Sequence, residues 1–460
     1  MNGSNIAEAV SDLIGKDKIL ADRENLLCYT YNAGAEPPTS TLPSVVAFPE
    51  TAAEISLVLQ FANAHGIAVV TRGEASNLSE SALPCHQNCI VLSTKRLQKI
   101  EIDTKTLTAT VGAGAVNADI KAAAERHGLF YPPDPSSYRF STIGGNVACD
   151  AGGLQCVKYG TTKHYVLGIE AVLPSGAIIR TGGKCVKNVA GYDLTHLLVG
   201  SEGTLAVMTE CILKLLPLPE GRQTMLAIFD DVEKAATAVS RIMVGGVVPS
   251  IMEFMENTFI RGVEAFCHLG LPVDAAALLL MEVDGDLASL ERQASRIKEV
   301  CQGLGVRDFK IARDAKEAEE FWRGRRAALP ALARVAKGRL GGDPAAPIDR
   351  LPEVVRLLHQ LEKEYGIKTA CQGHAGDGNV HPHFFYDTPE EKERAAQARS
   401  EFFHALIDMG GTVTAEHGVG RAKVKYLRHQ LGDAQIALMR AVKGVFDPNN
   451  ILNPGNIFGE

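Results

Sequence analysis

The sequence has little that would mark a secreted, disulfide-bonded or membrane-spanning protein. Tryptophan occurs once among 460 residues, and none of the ten cysteines belongs to a C-x-x-C pair. Scattered cysteines of this kind indicate reduced thiols in a cytosolic chain. No segment approaches the ~18 consecutive apolar residues of a membrane-spanning helix, and residues 1–20 lack the basic start and apolar core of a secretory signal. We therefore expect a cytoplasmic protein without a transmembrane segment.

The chain also lacks the positive charge that nucleic-acid-binding proteins carry. Lys and Arg number 47 against 54 Asp and Glu, which gives a formal net charge of −7. A general nucleic-acid-binding function is therefore not expected. The content of 46% hydrophobic and 22% charged residues is that of an ordinary globular protein. At ~150 residues per domain, the length accommodates two large domains or three small ones.

Alternating strand and helix patterns divide the chain into two halves. The apolar segment 45–48 precedes a capping box, Thr51 to Glu54, which opens a helix that ends at Gly66. Further strands are predicted in the first half at 67–71, 90–93, 98–103, 107–112, 166–173, 177–181 and 205–216, and in the second half at 227–229, 278–283 and 309–311.

Prolines at 217 and 219 mark the predicted domain boundary. We predict a first domain over 1–219, with an N-terminal helix at 1–20 and a core at 41–219. A second domain is predicted over 220–445, followed by a turn-rich tail over 446–460 that packs back on the protein.

Three glycine-rich segments in the first half lie beside predicted strands. They are Arg72–Pro84, Thr142–Gly153 and Gly200–Leu205. One such loop alone is most simply a turn, but three of them favour a large ligand, because successive backbone N–H groups can bind an anion. A nicotinamide site of the Rossmann type is weakly indicated, since the segment 112–117 holds only half of a G-x-G-x-x-G pattern.

Histidines in the second half indicate a metal site. His374 and His381 flank a Gly-Asp-Gly turn that can bring both imidazoles to one point, and imidazole suits Zn, Mn or Fe. Neighbouring side chains of an extended segment diverge, so Glu416 can face a metal while His417 faces a substrate. His383 lies two residues from His381 and is interpreted as a packing residue rather than a ligand.

The sequence resembles the FAD-linked 2-hydroxy-acid dehydrogenases in an ordered series of short segments. This family includes the catalytic subunit of bacterial glycolate oxidase and the flavin D-lactate dehydrogenases, within the vanillyl-alcohol oxidase and p-cresol methylhydroxylase superfamily. The resemblance extends from Pro43 to Ile457, and the segments that carry it are Pro133–Ser137, Thr142–Asn146, Lys187–Asp193, Gly200–Leu205, His374–His381, Glu416–Gly418 and Leu452–Gly455.

The resemblance implies an α+β protein with a two-lobed FAD-binding domain of p-cresol methylhydroxylase type, followed by an α+β cap that binds substrate. The tail would return to the FAD domain. Residues 72–77 would meet the pyrophosphate of FAD. The residues implied in FAD binding are Arg72, Gly73, Glu74, Ala75, Ser76, Asn77, Pro133, Asp134, Ser136, Thr142, Gly145, Asn146, Gly152, Gly203, Thr204, Val207 and Asn453.

The resemblance also implies the catalytic groups. His374, His381 and Glu416 would hold a divalent metal, Zn, Mn or Fe, and His417 would be the base. Arg325 would bind the substrate carboxylate, with Arg326 as the alternative. The expected reaction is oxidation of a small D-2-hydroxy acid, D-lactate or glycolate, to the 2-oxo acid by hydride transfer to FAD.

Electrons would then pass to an iron–sulfur subunit, a quinone or an electron-transfer flavoprotein. The chain has no ferredoxin-type cysteine spacing, so any cluster must lie on another protein. Attachment to the inner membrane would occur through such a partner.

The first glycine-rich loop departs from the family pattern R-G-x-G-[TS]-x-L-x-G-G. Ala75, Glu80 and Ser81 replace three glycines, and Glu74 adds a negative charge. An alternative function is therefore a flavin-poor scaffold subunit of a glycolate-oxidase-like or electron-transfer-flavoprotein-linked lactate dehydrogenase complex. A metal-dependent hydrolase without flavin is a third hypothesis, although it leaves the second and third loops unexplained.

Overall fold

The computed structural model describes residues 2–34, 39–84 and 86–459. The strands are β1 (Ile19–Leu20), β2 (Val45–Ala47), β3 (Val69–Arg72), β4 (Ile90–Ser93), β5 (Ile100–Asp103), β6 (Thr108–Gly112), β7 (Leu129–Phe130), β8 (Val166–Val172), β9 (Ile178–Gly182), β10 (Val207–Lys214), β11 (Leu216–Pro217), β12 (Gly221–Phe229), β13 (Ile251–Glu256), β14 (Ala277–Gly285), β15 (Asp308–Ile311), β16 (Gly338–Gly341), β17 (Thr369–His374) and β18 (His381–Tyr386).

The helices are α1 (Gly3–Ile14), α2 (Arg23–Leu27), α3 (Ala52–His65), α4 (Asn117–Glu125), α5 (Ile143–Cys149), α6 (Cys156–Tyr159), α7 (Leu194–Leu198), α8 (Val232–Val244), α9 (Asn257–Cys267), α10 (Leu287–Gly303), α11 (Ala315–Ala331), α12 (Leu351–Tyr365), α13 (Pro389–Asp408) and α14 (Val424–Phe446). Among the residues that the structure describes, none of these helices has both the length and the apolar composition needed to cross a membrane.

The chain forms two compact units. The first contains Met1–Gly153, Gly160–Leu218 and Glu416–Glu460, and the second contains Leu154–Tyr159 and Pro219–Ala415. The predicted domain limits at 219 and 445 stay a prediction. The tail after residue 446 belongs to the first unit.

The first unit is built on two main sheets. One has the strand order β1-β2-β4-β3, in which β2 and β3 run parallel to β4. The other is antiparallel with the order β5-β6-β10-β8-β9. Helices α1 and α3 bury their apolar faces on the first sheet, with Val10 and Leu59 fully enclosed.

Local signals explain why α3 begins and ends as predicted. The side chain of Thr51 accepts the backbone N–H of Glu54, and Gly66 adopts the left-handed conformation that ends the helix. The helix then leads into β3, whose last residue begins the first glycine-rich loop.

The second unit is a seven-stranded antiparallel sheet with helices on both faces. Its order is β15-β12-β14-β13-β17-β18-β16. Residues of α8, α10, α12 and α13 pack in the core on one face, and residues of α9 and α11 pack in the core on the other. The α+β class predicted from the sequence is confirmed. The sheet of this unit has seven strands rather than the three predicted, because β13, β16, β17 and β18 also belong to it.

The contact between His359 and Glu256 makes the stability of the second unit depend on pH. Nε2 of His359 contacts one carboxylate oxygen of Glu256, whose other oxygen accepts the backbone N–H of Cys371 at 2.9 Å. This hydrogen bond with Glu256 raises the pKa of His359 above its ordinary value of 6.5. Because the folded pKa is the higher one, the contact stabilises the fold fully below about pH 6.5. Its contribution is lost as the pH rises through the raised pKa.

We expect His359→Gln to lower the melting temperature clearly at about pH 5.5 and much less at about pH 9. Thermal unfolding of both proteins at the two pH values measures the difference. His127→Gln is the control, because His127 is exposed on the surface of the first unit. An equal effect of His359→Gln at both pH values would contradict the prediction.

Candidate functional site

The first unit contains an open cavity of about 1190 Å³, solvent included. The three glycine-rich loops predicted from the sequence all contribute to its wall. The predicted FAD-binding residues that line it are Arg72, Gly73, Glu74, Ala75, Ser76, Asn77, Ser136, Thr142, Gly145, Asn146, Gly152, Gly203, Val207 and Asn453.

Three residues predicted to bind FAD lie outside this lining. Pro133 and Asp134 are replaced in the wall by Pro135 and Ser137. Thr204 is buried, and its hydroxyl donates to the carbonyl of Ser201 at 2.7 Å. The predicted segments reach the cavity, but the motif could not tell which residues of each turn line it, and FAD binding by these residues stays a prediction.

Backbone approaches the cavity closely where the sequence has glycine. A Cβ on Gly73 would lie 2.2 Å from Oγ1 of Thr142. A Cβ on Gly203 would lie 2.3 Å from Oγ1 of Thr71 and 2.5 Å from Nδ2 of Asn453. Any side chain at either position would therefore displace a wall of the cavity.

The second loop offers polar atoms to a ligand. Oγ1 of Thr142 and Nδ2 of Asn146 are buried, and neither makes a hydrogen bond within the described residues. Buried polar groups are normally satisfied, so two such atoms in the wall of one cavity fit a polar cofactor. The residues present therefore fit FAD.

The tail closes the cavity from the side of β3. The backbone N–H of Asn453 donates to the carbonyl of Val69 at 2.9 Å, and its side-chain oxygen accepts the N–H of Thr71 at 2.8 Å. The amide nitrogen of Asn453 also donates to the carbonyl of Glu202 at 2.7 Å. Asn453 thus joins the tail to β3 and to the third loop.

In the first loop, the Arg72 guanidinium is bound by the protein itself. It donates to the carbonyls of Tyr29, Tyr31 and Ala82 at 3.0–3.4 Å and lies over the ring of Tyr29. Burial lowers the pKa of Arg72. The side chain of Arg72 thus holds the first loop in shape, and contact of residues 72–77 with the pyrophosphate stays a prediction.

Two of the residues that replace glycines have a strained backbone. Ala75 has φ of 51° and Glu80 has φ of 64°, both in the left-handed region. Arg421 supports this conformation by donating to the carbonyls of Glu80 and Leu83 at 2.9 and 3.0 Å. The added carboxylate of Glu74 forms an ion pair with Lys95 at 3.3 Å.

We expect Ala75→Gly to stabilise the protein by up to about 1.5 kcal/mol. Relief of the left-handed conformation gains about 1–2 kcal/mol, and the greater freedom of glycine in the unfolded chain offsets about 0.4–1 kcal/mol of it. Thermal unfolding and a fluorescence titration of FAD-free protein with FAD measure the change. The matched control is Ala82→Gly in the same loop, where φ is not positive. Equal effects of the two substitutions would disprove the strain argument.

Glu416 and His417 lie in the wall of the same cavity. Nε2 of His417 is 3.5 Å from a carboxylate oxygen of Glu416. The thiol of Cys149, at the end of α5, donates to the carbonyl of His417 at 3.3 Å. A carboxylate and an imidazole therefore meet where the three loops converge, an arrangement suited to proton transfer.

Sequence reasoning missed Glu202, which is buried in the third loop. Its two carboxylate oxygens accept the backbone N–H groups of Val419 and Gly420, each at 2.7 Å. Glu202 stands in the predicted Gly200–Leu205 motif, but only the fold shows that its side chain reaches the segment after His417.

The second unit brings the two predicted histidine ligands together. His374 ends β17 and His381 begins β18, and their ring centroids are 5.1 Å apart at an interplanar angle of 87°. The turn between them contains Gly378 with φ of 79°. Asn379 fixes this turn by donating to the carbonyls of Asp343 and Pro344 at 3.2 and 3.0 Å.

Glu253 organises this histidine site, and sequence reasoning missed it as well. Its buried carboxylate lies 2.6 Å from Nδ1 of His374 and 2.6 Å from Nε of Arg325. Burial alone would raise the pKa of Glu253, but its charge interactions and hydrogen bonds with His374 and Arg325 outweigh burial and lower the pKa. A carboxylate on Nδ1 fixes the imidazole in the orientation that a metal ligand needs.

Arg326, the alternative carboxylate-binding residue, and His383 have surroundings that differ from those of Arg325 and His374. Arg326 is exposed and pairs with Glu319 on the surface, so the structure does not bring it to the histidines. His383 is buried, with Nδ1 3.0 Å from a guanidinium nitrogen of Arg339 and its ring against Phe259. Burial lowers the pKa of His383 well below its usual range.

Comparison with known proteins shows which protein family the chain belongs to. A family model described as FAD linked oxidases, C-terminal domain, matches residues 218–457, and one described as FAD binding domain matches residues 43–182. The chain is 40% identical over 457 residues to the Bacillus subtilis protein named glycolate oxidase subunit GlcD, covering 99% of this chain and 97% of that protein. It is 36% identical over 416 residues to the Archaeoglobus fulgidus protein named D-lactate dehydrogenase, covering 90% of this chain and 91% of that protein.

A solved structure shows the same fold. The structure of p-cresol methylhydroxylase superposes with a TM-score of 0.81 at 18% identity, covering 99% of this chain and 96% of that chain. The predicted p-cresol methylhydroxylase type of fold is confirmed. As the sequence motifs predicted, this chain is an FAD-linked oxidoreductase and belongs to the FAD-linked oxidase family.

Proposed function

We propose that this chain oxidises a small D-2-hydroxy acid, D-lactate or glycolate, to the corresponding 2-oxo acid. The observation that carries the proposal is the pair Glu416 and His417 in the wall of the cavity that fits FAD. Two relatives support hydroxy acids as the substrate class, since one is named as a glycolate oxidase subunit and the other as a D-lactate dehydrogenase.

FAD would be held by the three loops and by Asn453. Thr142 and Asn146 would direct their buried polar atoms to it, and the glycines at 73 and 203 would allow close approach. When bound, FAD supplies the acceptor for the hydride that leaves the 2-carbon of the substrate.

Arg325 would bind the substrate carboxylate. A guanidinium can bind a carboxylate through two parallel N–H groups, and the contact of Arg325 with Glu253 uses Nε. Glu253 would thereby hold the arginine in place while the rest of the guanidinium meets the substrate. The pairing of Arg326 with Glu319 favours Arg325 over the alternative.

His374, His381 and Glu416 would hold a divalent metal, Zn, Mn or Fe. The close approach of the two imidazoles and the contact of Glu253 with Nδ1 of His374 support this ligand set. When bound, such a metal supplies Lewis acidity that lowers the pKa of the substrate hydroxyl.

His417 would act as the general base. It would take the hydroxyl proton on a ring nitrogen as the hydrogen on carbon leaves with its electron pair. The adjacent carboxylate of Glu416 would stabilise the imidazolium that forms.

The electrons would leave through a partner. The Bacillus subtilis relative is named as a subunit, and this supports a complex in which another chain receives them. An iron–sulfur subunit, a quinone and an electron-transfer flavoprotein are the candidate acceptors.

The proposal is tested by the visible spectrum of the purified protein under anaerobic conditions. D-lactate, glycolate and D-2-hydroxyglutarate are added in turn, and the metal content of the same sample is measured. A flavin spectrum bleached by D-lactate or glycolate is the expected result. Colourless protein that takes up no added FAD would overturn it in favour of the flavin-poor scaffold, for which the strained Ala75 and Glu80 would be the physical reason.

A further inference from the structure

Glu202 lies where three parts of the first unit meet behind the proposed base. Its main chain is fixed on both sides, because its N–H donates to the carbonyl of Ala148 at 2.8 Å and its carbonyl accepts from Asn453 at 2.7 Å. Glu202 has φ of 50°, a left-handed conformation that a non-glycine residue adopts only when its surroundings impose it. The direction of its side chain is therefore set by the fold.

The carboxylate of Glu202 binds the segment that follows His417. It accepts the N–H groups of Val419 and Gly420 at 2.7 Å each, the short distances of charge-assisted hydrogen bonds. Glutamine could accept only one of these bonds, since its amide NH₂ would face the other backbone N–H. The arrangement thus requires an ionised carboxylate.

The segment has no room to move away from Glu202. A Cβ on Gly418 would lie 3.0 Å from a carboxylate oxygen of Glu202 and 3.1 Å from the sulfur of Cys149. A Cβ on Gly420 would lie 1.8 Å from the carbonyl oxygen of Ser79 in the first loop. His417 immediately precedes this confined turn.

We propose that Glu202 is a positioning residue for His417. By binding the N–H groups at 419 and 420, it sets the path of the chain at 418 and so directs the imidazole toward the substrate. This inference rests on the proposed role of His417 as the base. It gives the buried charge of the third loop a task of its own, because both carboxylate oxygens accept backbone N–H groups.

The first test is hydrogen exchange of FAD-free protein. We expect Glu202→Gln to increase amide exchange in peptides that cover residues 416–424, because Val419 or Gly420 loses its acceptor. Glu101→Gln is the matched control, since Glu101 is exposed on β5 in the same unit and pairs with a surface lysine, Lys99. Unchanged exchange in the Glu202 variant would overturn the inference without involving activity.

The second test is a double-mutant cycle on the rate of flavin bleaching. We expect E202Q to retain FAD and to be bleached about 100-fold more slowly, the effect of misplacing a reacting group by ~1 Å. The substrate concentration that gives half-maximal rate should change little. If Glu202 acts through His417, E202Q should have no further effect in a protein that already carries His417→Ala.

The outcomes separate the two proposals. Wild-type protein that no 2-hydroxy acid bleaches would refute the proposed function, while the exchange experiment would still decide on the contact. Normal bleaching of E202Q, or a further 100-fold loss in the His417→Ala background, would overturn the positioning role. If E202Q purifies without flavin, Glu202→Asp, which keeps the charge, is used for the kinetics, and it should be slowed in the same manner.

Discussion

Flavin reduction by the substrate falls by about 10²- to 10⁴-fold in His417→Ala, the usual contribution of a general base. The loss is expected because His417 is the proposed base, while Glu416 beside it is proposed as a metal ligand. FAD content should stay normal, because the three loops and Asn453 form most of the cavity wall. Anaerobic stopped-flow bleaching measures the rate, and the flavin absorbance of the purified variant measures the content.

The control for this prediction is His127→Ala, a substitution of an exposed histidine in the same unit. It should be bleached at the wild-type rate. Rapid bleaching of the His417 variant would show that another group removes the proton, and loss of FAD from it would show that the side chain supports the cofactor instead.

Asp447→Asn should destabilise the first unit by about 3–5 kcal/mol, the penalty for breaking a buried ion pair on one side. Asp447 is fully buried, contacts Lys443 and accepts the N–H groups of Ile451 and Leu452 at 3.0 and 2.8 Å. Burial lowers the pKa of Lys443. The substitution leaves this buried cation without its counter-charge and places an amide NH₂ where an acceptor is needed.

The measurement is thermal unfolding, where a loss of this size corresponds to a fall in melting temperature on the order of 10 °C. Asp433→Asn is the matched control, because Asp433 pairs with Arg428 on the exposed surface of α14, the helix that also carries Lys443. A surface pair contributes ~0–1 kcal/mol. Equal melting temperatures of the two variants would contradict the prediction.

Local sequence signals were sufficient to predict those features that depend on residues close together in the chain. The cap at Thr51 and the glycine at 66 gave the limits of α3, and the Gly-Asp-Gly turn gave the approach of His374 and His381. The family motifs then gave most of the cavity lining. In each case the interacting residues lie within a few positions of one another or within one motif.

Strand β13 shows where local reasoning could not reach. Its sequence, Ile251–Glu256, contains two glutamates, and all six residues are buried. Charged residues are almost never buried unless they are paired, and the partners of Glu253 and Glu256 lie 72 to 121 positions away in the chain. The same holds for Glu202, whose partners are 217 and 218 residues away.

The residues that complete the first unit are synthesised after the second unit. Its sheet and loops come from the first 218 residues, yet Asn453, Glu416 and His417 arrive only after the second unit has been translated. Domains usually fold during synthesis in the order in which they leave the ribosome. Here the second unit can fold before the segment that completes the flavin cavity has been made. A chain that stops before residue 416 lacks Glu416, His417 and Asn453, and so it has no complete cavity to receive FAD.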